Sequence, residues 1–534
     1  MPTLATAVWL LLWGIGLGLI LTRLARNAAA SMGMMDGPDG HRKTQESPVP
    51  VAGGLAVLAA AVSAILVVAI VEPDVAAALT ADARKSLALL AAALLITIVG
   101  LIDDRYNLRA RYKLLGQTAA VLVLVLGGDF VIHKAGLFGF TAELDSYAIP
   151  FTVVWLLACV NALNLIDGMD GFLGTVGGIA LLSLAVVAAL TGHLFASVVA
   201  LALAGAVFGF LWWNLPPATV YMGDAGSMLI GLVIGAVAIP ASLKGPATVA
   251  LGAPLAVLIL PMFDTTAAVV RRKLTGRGMA TPDRGHLHHV MLKSGLTAPR
   301  VLGIVAVLGL VAAGGALAST AWHNDLFALV AASGVVLALV VGKLFGNAEL
   351  GLIRTRVSRA FRRLWAGVGD VQSWGMAVRL QGIADWDRVW GDLLAHAKPL
   401  NLRVLCLDVN SPAMHENYHA RWSNPVALPE AQLWRLEIPL HGAEGRSLGR
   451  LAISAERDVR SFAETLRSIA ELVAWLELLA TEAIATTRPA VHPSIHQSSV
   501  KLDPACQSIL SLGLGPLHPL PDGHDSPSNT ATSG

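Results

Sequence analysis

Carboxylates, amides and histidines interrupt an otherwise apolar chain at a few places, and their spacing limits what they can do. In GLIDDRYNLRARYKLLGQ, residues 100–117, Asp103 and Asp104 close an apolar run. Neighbouring side chains on a helix diverge by about 100°, so both face one cavity only near a helix end. There one can serve a metal and the other a proton; the bland alternative is two surface carboxylates balanced by Arg105, Arg109 and Arg111. NALNLIDGMDG, residues 161–171, sets Asn161, Asn164, Asp167 and Asp170 at successive spacings of three. Such spacing lines side chains up on one helical face, while Gly168 and Gly171 let the chain turn or approach a ligand closely. A helix end with Asx turns explains one of these aspartates but not four polar residues in register.

NLPPATVYMGDAGSMLIG, residues 214–231, reads as a short re-entrant loop after Asn214. Gly223, Gly226 and Ser227 can open a helix N-terminus that suits a phosphate, and Asp224 beside them can hold a Mg²⁺ that bridges to phosphate oxygens. Tyr221 offers a ring on which a base can stack. The stretch 261–292 carries Asp264, Arg271, Arg272 and the cluster His286, His288 and His289. With Asp283 the histidines suggest zinc, but their spacing matches no familiar zinc pattern, and donors to a pyrophosphate are the better reading. Finally, MMDGPDGHRKTQESPVPVAGG, residues 34–54, is a loop with Lys43 and a Pro/Gly-rich return. Together these stretches have the composition expected for Mg²⁺-assisted phosphoryl transfer.

The elements that must position them are membrane helices. Of 534 residues, 55% are hydrophobic and 14% charged, with a mean hydropathy of +0.66, too apolar for a soluble multidomain chain. The net charge of +2 gives no basic excess of the kind that binds nucleic acid. Cys159, Cys406 and Cys506 lie far apart, which argues against a disulfide framework or a cysteine metal site. About eleven segments approach the ~20 apolar residues a span needs: 4–22, 50–71, 86–102, 115–132, 148–165, 172–190, 195–213, 225–241, 248–270, 301–320 and 326–346. Arg23 and Arg26 follow the first of them, which favours a retained anchor with its N-terminus outside. Alternation then places every polar stretch on the inner side. About fifteen Lys and Arg fall in the inner loops against about four in the outer ones, as the positive-inside rule requires.

The expected fold is therefore an all-α polytopic membrane bundle over 1–346, followed by a soluble α/β or α+β domain. The basic stretch RTRVSRAFRRLW, 354–365, within a linker 347–365, is expected to lie along anionic lipid head groups. MAVRLQG, LRVLCLDV, LWRLEIPL and GRLAIS read as strands and 461–484 as an amphipathic helix, giving a cytoplasmic domain over 366–485. The tail 486–534 has the composition of disorder; its His492, His496, His518 and His524 read as solvated residues rather than ligands.

DDRYNLRARYKLLGQ, NALNLIDGMDG, NLPPATVYMGDAGS, and RR followed by DRGHLHH, in this order over about 5–345, resemble the polyprenyl-phosphate N-acetylhexosamine-1-phosphate transferases, the glycosyltransferase 4 family. The resemblance implies an enzyme of the bacterial inner membrane. In its reaction undecaprenyl phosphate attacks the β-phosphorus of a UDP-N-acetylhexosamine at the cytoplasmic leaflet, and UMP leaves. It implies Mg²⁺, for which Mn²⁺ can substitute, on Asp224 with support from Asp167. It further implies Asp103 or Asp104 as base or orienting group for the lipid phosphate, and Asp167 and Asp170 holding the nucleoside. Tyr221 would stack on uracil, and His288 and His289 would contact the diphosphate, with His286, Lys43 and Arg272 as further clamps. Asn161, Asn164 and Asn214 would orient carboxylates or bind ribose. The HLHH form resembles members that use UDP-GlcNAc to start cell-envelope polysaccharides, whereas muropeptide-transferring relatives usually show three consecutive histidines. Many relatives show RKxH where this chain has Arg42, Lys43, Thr44 and Gln45. The C-terminal SLGRLAISAERDVRSFAETLRSIAELVAWLELLA resembles the final strand and helix of GAF-type modules.

The alternatives are a muropeptide-type transferase and, from another class, an ion-coupled transporter. Against the transporter, the carboxylates sit at helix ends on one side and no inverted repeat is evident. A homodimer is left open.

Overall fold

The computed structural model describes residues 3–37, 48–137, 140–241, 243–245, 248–250, 252–275, 285–347, 349–351, 353–354, 357, 374–382, 384–397, 402–411, 416–423, 433–442, 447–456 and 462–485. Lys43, Asp283, most of the 354–365 stretch and the tail histidines lie outside the described residues.

The membrane part begins with α1 (Leu4–Ser31), then the short strands β1 (Met35–Asp36) and β2 (Val49–Pro50) pair with each other. Next come α2 (Gly53–Val71), α3 (Pro73–Ala81), α4 (Ala83–Tyr106) and α5 (Ala110–Leu122), which continues as a π-turn over Val123–Gly127. After β3 (Lys134–Leu137) and β4 (Phe140–Glu143) follow α6 (Ala148–Ile166), α7 (Phe172–Leu190), α8 (Leu194–Asn214) and α9 (Gly223–Ala241). Strands β5 (Leu243–Gly245) and β6 (Thr248–Ala250) join β3 and β4 in a sheet ordered β4-β3-β6-β5. Then come α10 (Gly252–Val257), α11 (Ile259–Thr275), α12 (Leu287–Lys293), α13 (Ala298–Ala321) and α14 (Leu326–Val341).

Among the described residues nine helices are long and apolar enough to cross a membrane, and α14, at 16 residues, is a shorter apolar one. The chain is a multi-pass membrane protein. One expected span, 248–270, is instead a strand and two helices. Pro261 sits in the first turn of α11, where its missing N–H cannot continue the ladder from α10. Close packing replaces bulk where helices cross: on α1, Gly14 and Gly18 lie directly against Gly205 and Gly209 of α8, where an added Cβ would strike backbone. Small residues of this kind let apolar helices gain van der Waals contact in lipid.

The C-terminal region has its own apolar core. Its elements are β7 (Trp374–Gln381), α15 (Trp386–Ala397), β8 (Leu402–Ser411), β9 (Glu416–Ser423), β10 (Leu433–His441), β11 (Ser447–Glu456) and α16 (Phe462–Ala485). The sheet is antiparallel, ordered β10-β11-β8-β9-β7. Leu405, Leu407 and Val409 of β8, with Leu451 and Ile453 of β11, alternate into the core as a period of two demands. Strand β9, ENYHARWS, is too polar to announce itself, and α15 is also absent from the expectations drawn from sequence.

Candidate active site

Helix ends build the site. Helix α4 stops because Asn107 adopts a left-handed conformation (φ 48°), and Asp103 secures that stop by accepting the Leu108 N–H at 2.7 Å. Asp104, next along, reaches across to α9. Its carboxylate accepts the N–H groups of Asp224 (2.8 Å) and Ala225 (3.3 Å), satisfying two of the four donors a helix start leaves open. The approach is tight. Gly223 has φ 73°, and a Cβ there would lie 2.6 Å from both the Asp104 carboxylate and Val51. Gly54 of α2 and Gly100 of α4 press against the backbone of the first turn of α9 in the same way.

Asp224 therefore enters the site on a helix N-terminus held by another helix. Its Oδ1 accepts from Asn164 Nδ2 at 2.5 Å, and its Oδ2 lies 2.9 Å from Lys113 Nζ. Lys113, in the first turns of α5, also meets Asp103 Oδ2 at 2.8 Å, so one ammonium bridges two carboxylates. Asn164 completes its own set with Ser227 Oγ at 2.8 Å.

The turn between α6 and α7 carries Asp167 and Asp170. Asp170 Oδ2 accepts the Ala218 N–H at 2.9 Å, and Asn214 links both sides of the loop by accepting from Gly171 N (3.0 Å) and donating to Val220 O (2.9 Å). Among the described residues no hydrogen-bond donor reaches the Asp167 carboxylate. Burial, followed by the charges of Asp224, Asp104 and Asp170, holds its pKa well above the ordinary range. Tyr221 pairs with Val51, and its hydroxyl is pushed up to about 12 by burial and by Asp170 and Asp36.

Asp103, Asp104, Asp167, Asp170, Asn214, Tyr221 and Asp224 line a cavity of about 730 Å³ that also takes in Asp36, Asn107, His289 and Lys293. Six of its lining residues are aspartates: Asp36, Asp103, Asp104, Asp167, Asp170 and Asp224. Its lining residues come from five helices, α4, α8, α9, α12 and α13, and from the turns between them.

Helix α12 supplies the histidines. His286 caps its N-terminus and its Nδ1 lies 2.9 Å from Asp264 Oδ2, while Asp264 Oδ1 accepts the Leu287 N–H at 2.8 Å. His288 is buried beneath Gly168, 5.6 Å from the Phe172 ring, and neither ring nitrogen finds a hydrogen-bond partner among the described residues. Burial, then His289 and His286, keep its pKa well below the usual histidine value. Only His289 of the three lines the cavity.

Sequence expectation and structure thus differ in placement. Asp103, Asp104, Asp167, Asp170, Asn214, Tyr221, Asp224 and His289 surround the cavity. Asn164 holds Asp224 from behind, whereas Asn161 donates to Gln117 Oε1 at 3.0 Å and ties α6 to α5. His286, His288 and Arg272 are not among the residues that line the cavity. Lys113, Asp36 and Lys293 were not singled out from sequence. Lys113 stood inside the DDRYNLRARYKLLGQ stretch as one of four cations with Arg105, Arg109 and Arg111, and nothing in the sequence set it apart.

No group of three or more His, Cys, Asp or Glu side chains among the described residues converges to hold a metal ion. The donor chemistry nonetheless fits Mg²⁺, which is ordinarily held by one or two carboxylates and completes its shell with substrate phosphate and water. Asp167, which accepts no hydrogen bond among the described residues, and Asp224 both line the cavity and supply two such carboxylates.

Comparison with known proteins adds a family. Residues 86–242 match the model of "Glycosyl transferase family 4". The chain is 30% identical over 296 residues to a probable undecaprenyl-phosphate N-acetylglucosaminyl 1-phosphate transferase of Bacillus subtilis, covering 55% of this chain and 79% of that protein. It is 35% identical over 328 residues to the decaprenyl-phosphate N-acetylglucosaminephosphotransferase of Mycolicibacterium smegmatis, covering 56% and 79%. It is 26% identical over 289 residues to the undecaprenyl-phosphate alpha-N-acetylglucosaminyl 1-phosphate transferase of Escherichia coli K12, covering 53% and 76%.

Proposed function

The chain belongs to glycosyl transferase family 4, and from that premise we propose that it transfers N-acetylglucosamine 1-phosphate from UDP-N-acetylglucosamine to undecaprenyl phosphate, releasing UMP. The reaction takes place at the cytoplasmic leaflet of the bacterial inner membrane, the orientation that the excess of Lys and Arg in these loops favours. The product starts a cell-envelope polysaccharide.

One observation carries the reading: Asp224 is presented on the N-terminus of α9, clamped by Lys113 and Asn164, in a cavity lined by six aspartates. Two polyanionic substrates would be repelled by such a wall unless a divalent cation intervened. Bound by Asp224 and Asp167, Mg²⁺ would neutralise the diphosphate and stabilise the phosphate of departing UMP. His289 and Lys293, four residues apart on one face of α12, also line the cavity and present donors to the diphosphate. Tyr221 stays protonated, and its ring takes the uracil.

A phosphate monoester has a second pKa of about 6 and is mostly dianionic at neutral pH. The lipid phosphate therefore needs no base. Asp103 and Asp104 already accept hydrogen bonds from the ends of α4 and α9, so in this mechanism they position Lys113 and Asp224 rather than remove a proton. The lipid phosphate oxygen attacks the β-phosphorus in line with the bond to UMP, and the protein's contribution is alignment and charge stabilisation.

Purified protein incubated with radiolabelled UDP-N-acetylglucosamine, undecaprenyl phosphate and Mg²⁺ should yield lipid-linked label and stoichiometric UMP. Absence of lipid-linked product from every UDP-N-acetylhexosamine tried would refute the transferase reading.

A further inference from the structure

Two charged side chains of α11 point into the protein and play no direct part in the chemistry above. Asp264 and Arg271, 0% and 2% exposed, stand seven residues apart and so share one face of the helix. Asp264 fixes the start of α12 through His286 and the Leu287 N–H. The Arg271 guanidinium lies over Gly285, the residue before His286, so closely that any Cβ at Gly285 would collide with it. Arg271 is in turn ion-paired with Glu349, itself only 7% exposed, which follows α14 in the chain and precedes the C-terminal sheet domain.

We propose that Glu349 is a positioning residue for the transferase site, acting through Arg271 on the Gly285–His286 backbone and so on the placement of His289 and Lys293. This rests on the transferase reading above. Burying two charges is costly, and a purely stabilising role would be served as well by apolar side chains of similar size. What the pair adds is direction. A guanidinium held by a carboxylate has one orientation, and that orientation presses on the backbone from which α12 departs. Because Glu349 comes from the segment leading into the C-terminal domain, displacement of that segment would be felt at α12 without any direct contact between the domain and substrate.

The test uses the full-length protein in Glu349→Gln and in the double variant Arg271→Met/Glu349→Met, which removes both charges and is expected to fold. Both variants should raise the KM for UDP-N-acetylglucosamine by about 5–10-fold with kcat changed by less than about 3-fold, the signature of weakened substrate binding. Both should also make His286, buried in the wild type, react about threefold or more faster with diethyl pyrocarbonate, read by peptide mass spectrometry, as local opening predicts. The proposal is overturned if the double variant keeps both wild-type KM and wild-type protection of His286, because the pair would then be structural only. The labelling requires no turnover. A wild type without transferase activity would sink the functional reading, and His286 reactivity would still decide whether Glu349 positions this loop.

Discussion

Replacing Lys113 by Met tests the site at the point where one cation joins two carboxylates. The lysine bridges Asp103 Oδ2 at 2.8 Å and Asp224 Oδ2 at 2.9 Å, and the three side chains are 18%, 7% and 32% exposed. Removing one partner of a buried pair costs about 3–5 kcal/mol because the remaining charge is left uncompensated. Here two carboxylates would lose their common cation beside Asp104 and Asp167. Asp224 is a third exposed and recovers part of its hydration, so the expected loss is about 2–4 kcal/mol. Thermal unfolding in detergent should show a clear fall in midpoint for Lys113→Met. Adding Asp103→Asn should recover much of it, since Asp103 is the more buried carboxylate. Activity should behave differently: kcat should drop by about 100-fold or more in the single variant, the scale seen when a preorganised electrostatic group is lost. It should remain low in the double variant, where Asp224 is still unclamped. If Lys113→Met melts with the wild type, or if the double variant recovers activity together with stability, the bridging role is wrong.

Three further outcomes follow from the same geometry. Asp224→Asn keeps the shape of the side chain but removes a metal-binding charge, so a Mg²⁺ titration should show a higher requirement and kcat about 100–1,000-fold lower; full activity at unchanged Mg²⁺ dependence would contradict the assignment. Asp167 is held in a setting that disfavours its charged form, so Asp167→Asn should melt higher than wild type in EDTA at neutral pH while losing activity. An unchanged or lower midpoint would count against the repulsion described here. His288 has a folded-state pKa below its unfolded value of about 6.5. The unfolded chain therefore binds the extra proton, and stability falls as pH drops through about 6.5 toward the folded-state value. His288→Leu should flatten that acid limb at little cost, because neither ring nitrogen is hydrogen-bonded among the described residues; an identical pH slope in both proteins would assign the titration elsewhere.

Much of the architecture was legible beforehand because a membrane span is a local property. The expected 148–165 and 195–213 became Ala148–Ile166 and Leu194–Asn214, and the segment 172–190 is a helix over those same residues. The failures were also local in origin: Pro261 divided one expected span, and the polar composition of β9 concealed a strand. At the site, residue types marked which stretches come together but not each residue's partner. Asn161 and Asn164 share a spacing of three, yet one links two helices and the other grips Asp224. The HLHH run places one histidine on Asp264, buries the second beneath Gly168 and leaves the third on the cavity wall.

The sequence by itself determined a polytopic bundle with its carboxylates gathered at one end, because apolar length and the parity of crossings leave the chain few other choices. Only the tertiary structure decided which carboxylate serves the backbone and which faces the cavity. Asp104 meets its partner N–H 120 residues further along the chain, and Lys113 joins Asp103 to an Asp224 that lies on another helix. Contacts across such separations depend on how helices pack and where their ends meet, and no periodicity within a single segment encodes that.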